Sequence, residues 1–152
     1  RLSRIMTPLD LAFREAKFSD CELILKWRNS NNIRSLSINK KFIKEENHRS
    51  WYKEKLKDRN CIFLIIETTN IPIGVVRFDI NNDEATISIY KNPVLTESFD
   101  LIQNSTNWLK ENHPEITKIF AEIISGNDRS YNSFINAGYE LFSSKLCNKK
   151  SL

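Results

Sequence analysis

Residues 61–90 read CIFLIIETTNIPIGVVRFDINNDEATISIY, and the fold is decided there. Cys61 to Glu67 is a β-rich apolar run, Thr68-Thr69-Asn70 a turn and Ile73 to Ile80 a second strand. Asn81-Asn82-Asp83 is another turn and Ala85 to Tyr90 a third strand. Two short turns joining three strands imply an antiparallel meander. Beyond it, a helix opened by Glu97 or Ser98 runs to about Asn112. It stops before Pro114 because the residue preceding a proline is pushed out of the helical region. Lys118 to Ile124 is the next strand. A strand–helix–strand crossover makes it parallel to Ala85–Tyr90.

Toward the N-terminus, Leu9, Leu11 and Phe13 alternate with polar residues and predict a first strand. Ser19-Asp20-Cys21-Glu22 reads as a capping box. The helix that follows has Leu23, Ile24 and Trp27 on its apolar face and is broken at Asn29 to Asn32. Lys44 to Asp58 is a second helix, acidic at its start and basic at its end, as the helix dipole favours. His48, Trp51, Tyr52 and Leu56 share one of its faces. Toward the C-terminus, Asn127 or Asp128 caps a last helix and Gly138 ends it as the C′ residue. Tyr139 to Phe142 starts a final strand, with Leu146 and Cys147 as a brief second one. The order β-α-α-β-β-β-α-β-α-β predicts a mixed α/β domain. Its sheet is mostly antiparallel with one parallel pair, and helices cover both faces.

The 152 residues suit one domain over the whole chain, and the start at Arg1 fits the C-terminal part of a longer protein. The longest apolar run, Cys61 to Ile66, is strand-sized, whereas a bilayer span needs roughly 20 residues. With no signal-peptide pattern at the start, the expected compartment is the cytoplasm. Cys21, Cys61 and Cys147 are odd in number and widely spaced, which argues for reduced thiols and against a disulfide framework or zinc cluster. Net charge is +4, but the basic stretch Lys44 to Arg59 is interleaved with Glu45, Glu46, Glu54 and Asp58. That is a solvated helix face and not a nucleic-acid footprint. A mildly basic chain suits small phosphorylated ligands.

Where a parallel pair splays, its unpaired backbone leaves a cleft that an amide-bearing ligand can fill as an extra strand. A helix N-terminus at the mouth would hold phosphates. Both features suit coenzyme A.

Several segments carry a resemblance. Asn127 to Tyr139, NDRSYNSFINAGY, resembles N-x-x-S-x-x-x-[FY]-x-x-x-G-[FY]. Trp27-Arg28-Asn29 forms a W-R-N triplet, and His48 with Trp51 gives H-x-x-W. Pro72 to Asp79 resembles P-I-G-x-x-R-F-D, and Ala85 to Ile89 resembles A-x-I-S-I. In this order the chain resembles the GNAT acetyltransferases over nearly its whole length. It is most similar to the branch that acetylates nucleotide-linked amino sugars, as in pseudaminic acid synthesis. That branch lies close to the ribosomal-protein N-terminal acetyltransferases.

The resemblance implies a GNAT fold and acetyl transfer from acetyl-CoA to an amine of a nucleotide sugar. A fused or associated sugar-nucleotide enzyme would be a natural partner. Neither nucleic acid nor membrane is expected as one. The alternatives are a protein N-terminal acetyltransferase and a non-catalytic domain that has lost its coenzyme. The chain departs from the family after Tyr90. Where relatives have a Gly-rich loop, it has Asn92-Pro93-Val94-Leu95-Thr96-Glu97-Ser98. Without glycine, backbone N–H groups cannot approach phosphate as freely, and Glu97 repels it. The expected result is weakened, displaced or lost coenzyme binding.

Site residues follow from the same resemblance. The backbone of Ile87, Ser88, Ile89 and Tyr90 would meet the thioester, and Ser98 the pyrophosphate. Asn127 and Ser130 would hold the coenzyme arm, although Asn127 also reads as a plain N-cap. Relatives place a tyrosine at the position of Phe134 to protonate the leaving thiolate. Tyr131, nearly one turn earlier, is the expected substitute, or else a packing tyrosine. His48 is the candidate general base, against a packed helix-face histidine. Arg28 and Arg77 suit nucleotide phosphates, with Asn29 beside them, or else ion pairs with nearby acids such as Asp79. Trp51 and Tyr90 would stack on a ring of the acceptor, or pack in the core.

Overall fold

The computed structural model describes residues 10–97 and 99–149. The sheet has five strands in the order β1 (Ala12–Glu15), β2 (Cys61–Thr68), β3 (Ile71–Asn81), β4 (Glu84–Lys91) and β5 (Lys118–Phe120). The first three pairings are antiparallel and β4–β5 is parallel. Two hairpins build the meander. Thr69 and Asn70 both take positive φ (48° and 65°), the backbone of a two-residue type I′ turn. The second hairpin turns at Asn82-Asp83, with Asn82 at φ 58°.

Helices α1 (Cys21–Asn29), α2 (Asn31–Ser35) and α3 (Glu45–Lys57) connect β1 to β2, α4 (Leu101–Asn112) connects β4 to β5, and α5 (Asp128–Asn136) follows β5. Strand alternation sends side chains to two separate cores. Phe63, Ile65 and Val75 pack with Cys21, Ile24, Trp27 and Tyr52 of α1 and α3. Leu64, Ile66, Val76, Phe78, Ala85 and Ile87 pack with Leu101, Leu109 and Phe134 of α4 and α5. Both faces of the sheet are thereby covered.

Four sequence expectations are corrected. Ser19 does not cap α1. Asp20 is its N-cap, and the Asp20 carboxylate accepts from the Lys17 N–H (2.8 Å) and from both Arg14 Nη atoms (2.8 and 2.9 Å). Arg14 Nε also donates to Glu67 (3.0 Å), so one guanidinium ties β1, β2 and the start of α1 together. The break after Asn29 is a single extended residue, Ser30 (ψ 146°), before the short α2. Strand β5 ends at Phe120 and not at Ile124. No strand forms among the described residues beyond Tyr139. Phe142 packs its ring on Phe120 (5.0 Å), but the polar run Ser143-Ser144-Lys145 leaves little to bury against a returning partner. Of the first-strand residues, Leu9 lies outside the described part.

α5 ends as expected. Gly138 sits at φ 93°, Tyr139 N–H donates to Phe134 O (3.0 Å), and Gly138 N–H donates to Ile135 O (3.0 Å). This is a Schellman motif, completed by the edge-on contact of the Phe134 and Tyr139 rings at 5.0 Å.

Candidate functional site

Only three residues of β4 pair with β5: Glu84 with Lys118, Ala85 with Ile119, and Thr86 with Phe120. The two strands are pinned where they begin. Thr117 N–H donates to Asp83 O (2.7 Å), and Thr117 Oγ1 to the Asp83 carboxylate (2.8 Å), so the start of β5 is clasped to the β3–β4 turn. Beyond Thr86 and Phe120 the pairing ends, while β4 continues to Lys91. Parallel strands held at one end and unpaired beyond it leave free backbone groups between them, where a cleft can open.

Ladder alternation tells which groups face that cleft. Asn92 N–H donates to Ile73 O (2.8 Å). Antiparallel pairing alternates along the strand, so the backbone groups of Tyr90 and Ser88 point with Asn92 toward β3. Those of Ile87 and Ile89 point the other way. Of the four β4 residues expected to offer their backbone, these two have theirs free for a ligand.

The mouth of the cleft is built by residues 92–97 and 99–100. Leu95 N–H donates back to Asn92 O (3.2 Å), and the Lys91 ammonium donates to Glu97 O (2.9 Å). α4 starts at Leu101 with Asp100 as N-cap. Its first turn is pressed onto the sheet at Gly74, where an added Cβ would lie 2.9 Å from Leu101 Cδ1. Exposed Glu97 and Asp100 therefore border the helix N-terminus, and the Lys91 ammonium is turned onto a carbonyl. Ser98 lies outside the described residues.

On the other wall, Asn127 caps α5, its Oδ1 accepting from Ser130 N–H (3.2 Å). Tyr131 is 40% exposed on the same helix, whereas Phe134 is buried at 7%. A phenylalanine ring has no ionisable proton to give, so Tyr131 supplies the one accessible hydroxyl of the pair.

The remaining expected residues fall into two groups on the opposite face of the sheet. The first is at the end of α1. Arg28 donates through Nη2 to Asn39 O. Asn29 bonds the backbone of Ile43 in both directions (2.8 and 2.9 Å). Both residues thus hold the 39–43 segment and are engaged within the chain. Arg28 Nη1 is buried with no partner among the described residues, and burial lowers its pKa.

The second group surrounds Arg77. Its guanidinium lies over the Trp51 ring (5.2 Å) and donates to Asp79 (2.8 Å) and to Ser88 Oγ (3.3 Å). Lys55 also bonds Asp79 (2.9 Å). Burial opposes ionisation of Asp79, but the two cations outweigh it and hold the carboxyl below its ordinary range. Arg77 therefore takes the ion-paired alternative. Tyr90 does not stack in an open site either: its hydroxyl reaches Ile24 O (3.4 Å) on α1.

His48 is 3% exposed, stacked on Tyr52 (5.7 Å) and tilted against Trp51 (5.7 Å). Burial pushes its pKa down, so the ring is neutral, and its Nε2 has no partner among the described residues. A base must reach the proton it removes, and a ring at this depth meets the packed helix α1 instead. The helix-face spacing of the sequence fits this packing role.

Two grooves are open near these groups. One, of about 350 Å³, runs along α3 and is lined by Trp51, Glu54, Lys55, Lys57 and Asp58. The other, of about 590 Å³, lies between Ile38–Lys41 and Ile124–Ser125, with Lys149 beside them. Sequence reasoning missed the second, although adjacent Lys40 and Lys41 in an interhelical segment were a usable signal. Among the described residues no cluster suits a metal ion, and no helix is long and apolar enough to cross a membrane.

No protein-family model matches the chain, and no curated protein matches its sequence. Solved structures do match its fold. A spermidine N-acetyltransferase from Vibrio cholerae, in complex with CoA and spermine, superposes with a TM-score of 0.75 at 19% identity, covering 84% of this chain and 79% of that one. The N-acetyltransferase PseH of Campylobacter jejuni gives 0.68 at 16% identity, over 91% and 92% of the two chains. A domain from Methanocaldococcus jannaschii gives 0.72 at 24% identity, over 90% and 92%. The pinned and then splayed β4–β5 pair, with α4 and α5 packed behind it, is the fold that the GNAT acetyltransferases share.

Proposed function

We propose that the chain transfers an acetyl group from acetyl-CoA to an amine, and that the amine belongs to a nucleotide-linked amino sugar. The observation that carries the reading is the early end of the β4–β5 ladder. It frees the backbone of Ile87 and Ile89 to pair with an amide-bearing arm. The likeness to acetyltransferase structures supports it, one of them solved with CoA and spermine. That the acceptor is a nucleotide-linked amino sugar draws on the resemblance of the sequence segments.

The chemistry is direct attack in a ternary complex. A deprotonated amine nitrogen attacks the thioester carbon, the N–C bond forms, and the C–S bond breaks. A β4 amide donates to the carbonyl oxygen as charge develops there. The proton of the amine leaves to water, because His48 is enclosed. The departing thiolate takes a proton from Tyr131.

A second reading, a non-catalytic domain, is favoured by Glu97 and Asp100 at the cleft mouth and by Phe134 at the position of the usual tyrosine. Calorimetry separates the two. Acetyl-CoA is expected to bind with micromolar affinity, about −8 kcal/mol. No binding at millimolar ligand rejects the enzyme reading.

A further inference from the structure

The larger groove carries a chemistry that the reaction alone does not assign. Its walls come from the segment between α2 and α3 and from the segment that follows β5. Ile124 and Ser125 lie on the segment along which the chain leaves β5 for α5. Ile38 to Lys41 lie opposite, and their position is fixed from the end of β4. The Tyr90 hydroxyl contacts Ile24 O on α1 (3.4 Å), Arg28 lies one helical turn further, and Arg28 donates to Asn39 O. Asn29, through its paired bonds to Ile43, holds the far end of the same segment. The W-R-N triplet therefore places a groove wall.

Three lysines line the groove, Lys40, Lys41 and Lys149, and none of its lining residues is acidic. None of the three makes an ion pair among the described residues. The groove along α3 is different, because Glu54 and Asp58 balance its lysines. The α4 mouth is different again, bordered by Glu97 and Asp100. Lys91 on β4 and Arg129 on α5 also lack an ion pair among the described residues, but the groove gathers three lysines with no acid in its lining. Ammonium groups on flexible stems bind phosphate as point charges and need no fixed geometry.

We propose that the Lys40–Lys41–Lys149 groove is the subsite that takes the phosphate groups of the acceptor, so that the acceptor is an anionic molecule such as a nucleoside diphosphate derivative. Arg28 and Asn29 are positioning residues for this subsite and do not touch the phosphates. The proposal rests on the acetyl-transfer reading for the word acceptor, but binding of the anion is measurable without it.

The test is a titration of the full, isotope-labelled chain, followed by backbone amide resonances, with UDP in one series and CoA in another. UDP is expected to shift Ile38 to Lys41 and Ile124 to Ser125. The double variant Lys40→Glu, Lys41→Glu changes two exposed side chains and should weaken UDP at least fivefold. Raising the salt to about 0.5 M should weaken it similarly, because exposed charge pairs are screened at that strength. The proposal is overturned if UDP shifts other residues, or none, or if the double variant binds UDP as the parent does. CoA is expected to shift β4. CoA shifts centred on the groove would reassign it to the coenzyme and overturn the acceptor claim. If CoA binds nowhere while UDP behaves as expected, the acetyl-transfer reading fails and the anion subsite stands.

Discussion

Removing the two carboxylates at the cleft mouth should tighten coenzyme binding while slightly loosening the protein. Asp100 is the N-cap of α4 and Glu97 lies three residues before it, both exposed. A diphosphate on the first free amides of α4 would lie about one helical turn, ~6 Å, from the Asp100 carboxylate. At the dielectric of water one unit charge pair at that distance is worth about 0.7 kcal/mol, doubled for a dianion and about halved by physiological salt. Asp100→Asn thus removes roughly 0.7 kcal/mol of repulsion, about threefold in affinity. Glu97→Gln adds less, and the double variant should gain about five- to tenfold. Stability should move the opposite way. Asp100 makes no side-chain cap bond, but a negative charge at a helix N-terminus contributes about 0.3–1 kcal/mol. The assay is acetyl-CoA calorimetry at low and at high salt, with urea unfolding as the companion measurement. An affinity that stays level or falls at low salt would refute the reasoning, and so would a gain that persists at high salt.

Three further outcomes are expected. Asn127→Ala should lose about 1 kcal/mol of stability with its cap bond to Ser130. Asn127→Ser keeps the cap and loses only the amide, so a drop in acetyl-CoA affinity with unchanged urea midpoint would assign Asn127 to the coenzyme arm. Asp20→Asn should cost about 2 kcal/mol at neutral pH, less than a fully enclosed pair because the Arg14 side chain is 31% exposed. The Arg14 hydrogen bonds, against the opposing effect of burial, hold the Asp20 carboxyl below its ordinary range. Its contribution is therefore complete above the unfolded pKa near 4 and is lost as pH falls through the lower folded value. Urea midpoints from pH 7 down to about 3 should fall less steeply for the variant than for the parent. Gly138→Ala should destabilise by about 1 kcal/mol by thermal unfolding, since φ 93° is strained for any residue with a Cβ.

The meander and the crossover were legible because their signals are local. The apolar runs within residues 61–90 and the residues of two turns sufficed for β2 to β4, and Asn127 and Gly138 marked both ends of α5. The failures share a physical cause. Helical spacing puts His48 on a face with Tyr52 but does not say that the face meets α1, so its burial was not readable. Arg28 and Asn29 find partners 11 and 14 residues away in an irregular segment, which no periodicity announces. Asp20 outcompetes Ser19 because Arg14, on the neighbouring strand, brings a charge to it. Tyr139 to Phe142 has strand-like residues but no paired edge among the described residues, and a strand exists only as part of a ladder.

The two ends of the cleft differ in charge, and that difference constrains how any coenzyme is held. With acids at the α4 mouth, the diphosphate of CoA gains little there. A micromolar affinity, about −8 kcal/mol, must then come from the arm. Hydrogen bonds to the free Ile87 and Ile89 backbone contribute about 1 kcal/mol each. The balance requires burial of at least about 240 Å² of apolar surface at 25 cal/mol per Å², before the cost of association is met. The wall that can supply it is the partly buried apolar lining around Ile89, Leu95, Phe99 and Ile123, on the α4–α5 side of the sheet. On the acetyl-transfer reading, coenzyme recognition would then be driven by burial of the pantetheine arm, while three lysines stand together in the groove beside Ile124 and Ser125. An anionic acceptor and a coenzyme held by its arm would then both follow from one charge distribution.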